Sequence, residues 1–176
     1  GEAPDMKGSG KRFAHMLAIA PNASSSVICG NTSPSIEPLR ANAFSQKTLS
    51  GTFLIKNKYL EQLLEKKGKN TKDVWQTIIT SGGSVSTLDF LNDKEKNVFR
   101  TAIEIDQAWL IDLAGERQKY ICQAQSLNLF FPPDVEVRRL NNVHKRAWTK
   151  GLKTLYYLRS EAIRRAENIS VKVERQ

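Results

Sequence analysis

Three short, almost unbroken apolar runs constrain this chain more than any other feature. They are His15–Ala20 (HMLAIA), Ser126–Phe131 (SLNLFF) and Lys153–Leu158 (KTLYYL). Runs this short, continuous rather than alternating, suit strands covered on both faces, as in a parallel sheet or barrel. Each is followed by a helix-start signal. Pro21-Asn22-Ala23-Ser24-Ser25-Ser26 offers Asn22 or a serine as a cap, Pro132-Pro133-Asp134 offers Asp134, and Ser160-Glu161 opens SEAIRRAE. Strand, tight turn and helix used three times imply a parallel α/β architecture.

The second unit is the most complete. After Asp134, residues Leu140, Val143, Ala147 and Trp148 recur at helical spacing, Gly151 stands where a helix stops, and Lys153 opens the next strand. Ser126 to Leu158 therefore reads as one βαβ unit with a right-handed crossover. A long excursion, roughly 33–125, separates it from the first unit. Within it, Gly51–Ile55 reads as a short strand. Asn57–Lys67 reads as a helix with Leu60, Leu63 and Leu64 on one face, and Thr71–Thr80 as another with Val74, Trp75, Ile78 and Ile79. Ser81-Gly82-Gly83-Ser84 is a turn without a phosphate-loop pattern. Asp93–Cys122 holds two helical patterns, Val98/Phe99/Ala102/Ile103 and Trp109/Leu110/Leu113/Arg117/Ile121, the second capped by Asp106.

Residues 1–14 read as a polar lead-in and 168–176 as a tail, around one domain over 15–167. Three parallel strands do not close a barrel, and even an eight-stranded one takes ~250 residues. The sheet is therefore expected to be completed by another polypeptide, or by another piece of the same protein.

Charge and composition set the partner classes. The net charge is +9, and the basic residues gather late, from Arg138 to Arg175. Such a bias can attract nucleic acid, phosphorylated small molecules or an acidic partner, or it can be a solvated helical face. A small basic module for nucleic acid or an acidic protein is therefore the alternative reading. A nucleic-acid module sets basic residues beside exposed stacking aromatics. Here Tyr156 and Tyr157 stand inside an apolar strand, which argues against it. No apolar run approaches the ~20 residues that span a bilayer, so no membrane association is expected. The N-terminus lacks a signal-peptide pattern, and two distant cysteines suggest no disulfide scaffold, so a cytoplasmic location is expected.

Two constellations carry chemistry. A helix beginning in Pro21–Ser26 offers unpaired N–H groups and hydroxyls at the C-terminal end of a strand, which suits a phosphate. It also suits a capped helix with no ligand. Tyr156 and Tyr157 are adjacent strand residues, so they are expected to point to opposite faces. Ordinary packing explains such a pair, and transfer of an electron through phenols is the functional reading. His15 and His144 form no metal or catalytic pattern. Cys29 and Cys122 read as small core residues.

Several stretches resemble, in order, the large subunits of class I ribonucleotide reductases. Leu17–Ser26 (LAIAPNASSS) followed by NTSPSIEPLRANAF, with Asn31, Glu37 and Pro38, resembles the family's phosphate-holding segment. Arg117–Phe131 (RQKYICQAQSLNLFF) resembles its Gln-Ser-x-Ser-x-Asn region, and Lys150–Ser160 (KGLKTLYYLRS) its Gly-x-Lys-Thr-x-Tyr-Tyr motif. The wording is nearest to enzymes of T4-like bacteriophages, which would place the protein in a host cytoplasm.

The resemblance implies the C-terminal portion of a ten-stranded α/β barrel, with inserted helices. It implies radical conversion of ribonucleoside diphosphates to deoxyribonucleotides. It assigns Pro21, Asn22, Ala23, Ser24 and Ser25 to the substrate phosphates, and Tyr156 and Tyr157 to a radical relay. It implies two partners, the N-terminal part of the large subunit and a small, radical-generating subunit. The small subunit would carry a diiron–tyrosyl radical, this chain would bind no cofactor or metal, and thioredoxin or glutaredoxin would supply reduction. The family's catalytic cysteines match neither Cys29 nor Cys122. The chain is therefore expected to be one piece, natural or expressed, of a subunit that acts only when complemented.

Overall fold

The structure, a computed structural model, describes residues 1–22, 25–30, 35–48 and 51–160. The βαβ unit lies where the sequence places it. Strand β3 (Leu129–Phe131) pairs in parallel with the last strand, β4 (Leu158–Ser160), with Leu129 opposite Leu158. The intervening helix spans Val137–Thr149 and turns Val143 and Ala147 inward. Gly151 adopts φ +76° just past its end.

The details differ in three ways. Glu136, not Asp134, is the N-cap, and it makes no side-chain cap. Trp148 is 77% exposed, because the stripe that packs inward is narrower than the apolar spacing suggests. The third run pairs regularly only from Leu158, at the end of the expected Lys153–Leu158 strand. The expected helix after Ser160 lies outside the described residues.

The first run departs further. Residues 17–19 lie along 123–126: Leu17 O accepts from Gln123 N at 3.0 Å, and Ile19 O accepts from Ser126 N at 2.8 Å. Among the described residues, the run forms one isolated parallel bridge, Ile19 to Gln125. Met16 and Leu17 are exposed rather than buried on both faces. The three runs are thus neighbours in a common direction, with the second in the middle. The expected burial of the first fails because no residue described here lies beyond it.

The excursion forms its own apolar centre. Strands β1 (Ala43–Thr48) and β2 (Gly51–Lys56) pair antiparallel, so the expected strand at Gly51–Ile55 gains a partner that apolar spacing did not mark. Helix α1 (Ser25–Ile28) precedes this pair, and α2 (Lys58–Lys66) and α3 (Lys72–Thr80) follow it. Asn57 Oδ1 accepts from Tyr59 N to cap α2, and Thr71 Oγ1 accepts from Val74 N to cap α3. Leu60, Leu64, Trp75 and Ile78 pack with Ala43, Val85, Leu88 and Leu91. Buried Asn42 ties these pieces together, donating from Nδ2 to the Gly83 and Phe99 carbonyls and accepting from Asn57 Nδ2 on Oδ1.

Helix α4 (Asp93–Val98) starts with a capping box between Asn92 and Glu95. It stops at Val98, which is exposed, so the expected Val98/Phe99/Ala102/Ile103 stripe is broken. Helix α5 (Gln107–Gln118) is capped by Asp106 as expected, but it buries Leu110, Ile111 and Ala114 while Trp109 and Leu113 face outward. The Val137–Thr149 helix is α6. It packs on α5 over a second core made by Ile111, Ala114, Leu127, Leu129, Phe131, Val143 and Ala147. Asp112 of α5 accepts from Arg146 Nε at 2.8 Å and Nη2 at 2.5 Å, and Lys150 Nζ lies 3.4 Å away.

Two outcomes follow. Gly83 has φ +88°, and a Cβ there would lie 2.2 Å from Ala41 Cβ. Gly83→Ala should therefore lower stability in denaturant unfolding by about 1–3 kcal/mol from backbone strain, with the clash added. The Arg146 guanidinium and Lys150 hold the Asp112 carboxyl down at about 2. A depressed carboxyl stabilises the fold above its unfolded value and loses that effect as pH falls through its folded value. Asp112→Asn should thus be less stable than wild type at neutral pH, and the gap should close between about pH 4 and pH 2.

Candidate functional site

The expected site residues fall at the two outer runs of the parallel arrangement, with the central run between them. At the first, the phosphate candidates are only partly visible. Pro21, Asn22 and Ser25 are exposed, while Ala23 and Ser24 lie outside the described residues. Helix α1 is four residues long. One turn sums few peptide dipoles, so the anion site expected of a helix start would rest on individual N–H groups and hydroxyls. Asn22 Nδ2 donates to Ala20 O at 3.3 Å, and Asn22 O accepts from Ser26 N at 2.9 Å.

Neither cysteine is a core residue, contrary to expectation. Cys29 is exposed just beyond α1. Cys122 is half-buried, and its Sγ accepts from the Met16 and Leu17 amides at 3.2 Å each. These two donors, helped by the nearby Lys153, draw the thiol below its ordinary value. His144 is held within its helix, with Nδ1 2.8 Å from Leu140 O, as a structural reading expects. Among the described residues no group of three or more His, Cys, Asp or Glu side chains is placed to hold a metal ion.

The central run carries a buried polar network. Gln125 is fully buried. Its Nε2 donates to Ala114 O at 2.8 Å and to Gln118 Oε1 at 3.1 Å, and its Oε1 accepts from Arg117 Nε at 3.2 Å. Burial lowers the Arg117 pKa, while the charge of Glu37 acts in the other direction. Glu37 is itself buried, and its Oε1 accepts from the Asn128 amide. Its Oε2 has no hydrogen-bond partner among the described residues. Gln125, Asn128 and Glu37 all stand in quoted motif stretches, but spacing gave them no role. Gln125 bonds back to the end of the preceding helix, whereas Glu37 and Asn128 are remote in sequence, and only the fold brings them together.

Tyr156 and Tyr157 do not point to opposite faces. Their ring centroids are 4.1 Å apart with planes tilted by 50°, and the two residues are 46% and 53% exposed. The ladder explains this. The Tyr156 amide donates to Leu127 O, and the Leu129 amide donates to Tyr157 O, both at 2.9 Å. In a regular parallel ladder one residue supplies both the amide and the carbonyl across from Asn128. Here two residues share that task, which is a β-bulge. The extra residue breaks the alternation and brings the rings to one side. Hydrogen bonding with the Tyr157 side chain, then its charge, pushes the Tyr156 phenol above its ordinary value, with Arg159 opposing. The Arg159 guanidinium carbon lies 5.1 Å from the Tyr157 ring centroid.

The comparisons with known proteins decide the family. Residues 3–158 match the family model for the ribonucleotide reductase barrel domain. The chain belongs to this family. The ribonucleoside-diphosphate reductase large subunit of invertebrate iridescent virus 6 is 53% identical over 97% of this chain, and the match covers 18% of that protein. The ribonucleoside-diphosphate reductase subunit alpha of Chlamydia trachomatis serovar D is 40% identical over 97% of this chain and 16% of that protein.

A solved structure of the Actinobacillus ureae class Id ribonucleotide reductase alpha subunit superposes with a TM-score of 0.81 at 41% identity. It covers 92% of this chain and 29% of that one. The chain thus spans under a third of each of these proteins. They support the barrel family expected from the motifs, but not an enzyme of T4-like phages in particular.

The held sulfur gives a further outcome. Alkylation of Cys122 by iodoacetamide should reach half its limiting rate below the ~8.5 of an unperturbed thiol. A midpoint at or above that value would contradict the two amide donors.

Proposed function

We propose that this chain acts as part of the large subunit of a ribonucleoside-diphosphate reductase. In this reading it reduces ribonucleotides together with the rest of the large subunit and a small, radical-generating subunit. Pro21, Asn22, Ala23, Ser24 and Ser25 hold the substrate diphosphate through backbone N–H groups and hydroxyls, and Tyr156 and Tyr157 relay the radical. The oxidant for the relay belongs to the small subunit, where a diiron centre would generate it. Thioredoxin or glutaredoxin serves as reductant, and the compartment is the cytoplasm.

The observation that carries the reading is the contact between the two phenols. Radical transfer through tyrosines moves one electron and one proton at each hop, and the reverse hop restores both rings. Rings 4.1 Å apart satisfy the proximity this demands. Their partial exposure leaves them open to a further chain, as a relay between subunits requires. The match of residues 3–158 and the order of the motifs support the same assignment.

The test combines this chain, the complementary part of a large subunit, a small subunit and dithiothreitol, and measures deoxynucleotide formation. Activity should require every protein component, and Tyr157→Phe should reduce it to background while assembly persists. Undiminished activity with Tyr157→Phe would remove the relay assignment. An assembled complex with no activity in the unaltered protein would remove the reductase reading.

A further inference from the structure

We propose that Asn128 is a positioning residue that holds the Tyr156–Tyr157 bulge through its side chain. The inference rests on the relay reading for its functional consequence, but its geometry stands apart from that reading. The Leu127 carbonyl is taken by the Tyr156 amide, so the Tyr157 amide is displaced from the place a regular ladder would give it. Asn128 Oδ1 accepts from that displaced amide at 3.3 Å. A partly buried amide without an acceptor is costly, so the side chain offsets what the bulge would otherwise lose.

Asn128 suits this role because it is fixed from behind. It is buried, and its own amide donates to the Glu37 carboxylate. Glu37 lies 91 residues away in sequence, on the segment that follows α1. The chain of contacts therefore runs from the segment after the phosphate candidates, through Glu37 and Asn128, to the Tyr157 backbone. The consequence is orientation: with the displaced amide held, Tyr156 and Tyr157 remain two residues opposite one, and their rings stay on one side. Without it, the Tyr157 amide is left unheld inside an otherwise intact ladder, and the two rings lose their fixed orientation.

The experiment uses the assembled reductase with Asn128→Ala, Asn128→Asp and Tyr157→Phe. Asn128→Asp is isosteric and keeps an oxygen acceptor in either protonation state. Two quantities are read: hydrogen exchange of single backbone amides, and kcat separately from KM. In Asn128→Ala, exchange at the Tyr157 amide should rise roughly fivefold, the factor that losing about one net hydrogen bond gives. Exchange at the Tyr156 and Leu129 amides should hold steady, which shows that the ladder is intact. The kcat should fall on the order of 100-fold from ring misplacement, with KM unchanged. Asn128→Asp should restore both quantities.

Unchanged exchange at Tyr157 in Asn128→Ala overturns the proposal, whatever the activity. Raised exchange with full kcat, while Tyr157→Phe is inactive, overturns the positioning role. If Tyr157→Phe keeps full activity, the relay reading fails instead, and the exchange result still decides whether Asn128 holds the bulge.

Discussion

The parallel ladder between residues 127–131 and 156–160 is the contact on which the rest depends. It closes the βαβ unit, and α6 can lie on α5 only because both helices cover the same strand residues. Leu127, Leu129 and Phe131 are nearly inaccessible to solvent, and each contributes to the core shared with Ile111, Ala114, Val143 and Ala147. Burying such side chains supplies most of the drive to hold two short strands together, since three-residue strands have few hydrogen bonds of their own. The same ladder carries the bulge, so the packing that stabilises the unit also sets where the two phenols stand.

The polar residues of the central run show how this packing is made specific. Gln125, Asn128 and Glu37 are all buried; Gln125 ties the central run to α5, while Asn128 and Glu37 reach groups far away in sequence. An apolar substitute could fill the same volume, but it would leave amides and carbonyls without partners. The network therefore fixes register rather than adding bulk. Asn42 does the equivalent in the excursion, where one buried amide joins the turn at Gly83, the end of α4 and the start of α2.

Much of the fold was legible in spacing. The helices that begin beside Asn57 and Thr71, the cap at Asp106, the stop at Gly151 and the inward stripe of α6 follow from local chemistry that acts within a few residues. The failures share one cause. The burial of Met16 and Leu17, the cores expected for Cys29 and Cys122, and the face of α5 all depended on what lies alongside. Apolar periodicity says that a face is apolar, not that a neighbour covers it. Trp109 and Leu113 have the right spacing for a core, yet they face outward because Ile111 and Ala114 meet α6 and the strands instead.

The candidate site divides along the same line. The sequence by itself determined the family, the parallel direction of the three runs and the adjacency of two tyrosines, because these are written in residue types at fixed separations. Tertiary structure alone decided that the tyrosine rings share a side, since that depends on one displaced amide and on an acceptor 29 residues away. It also decided that Glu37 serves the central run from 91 residues distant. A strand's alternation is a local rule, and a bulge overrides it only where a partner strand and a remote side chain take up the bonds that the rule would have used.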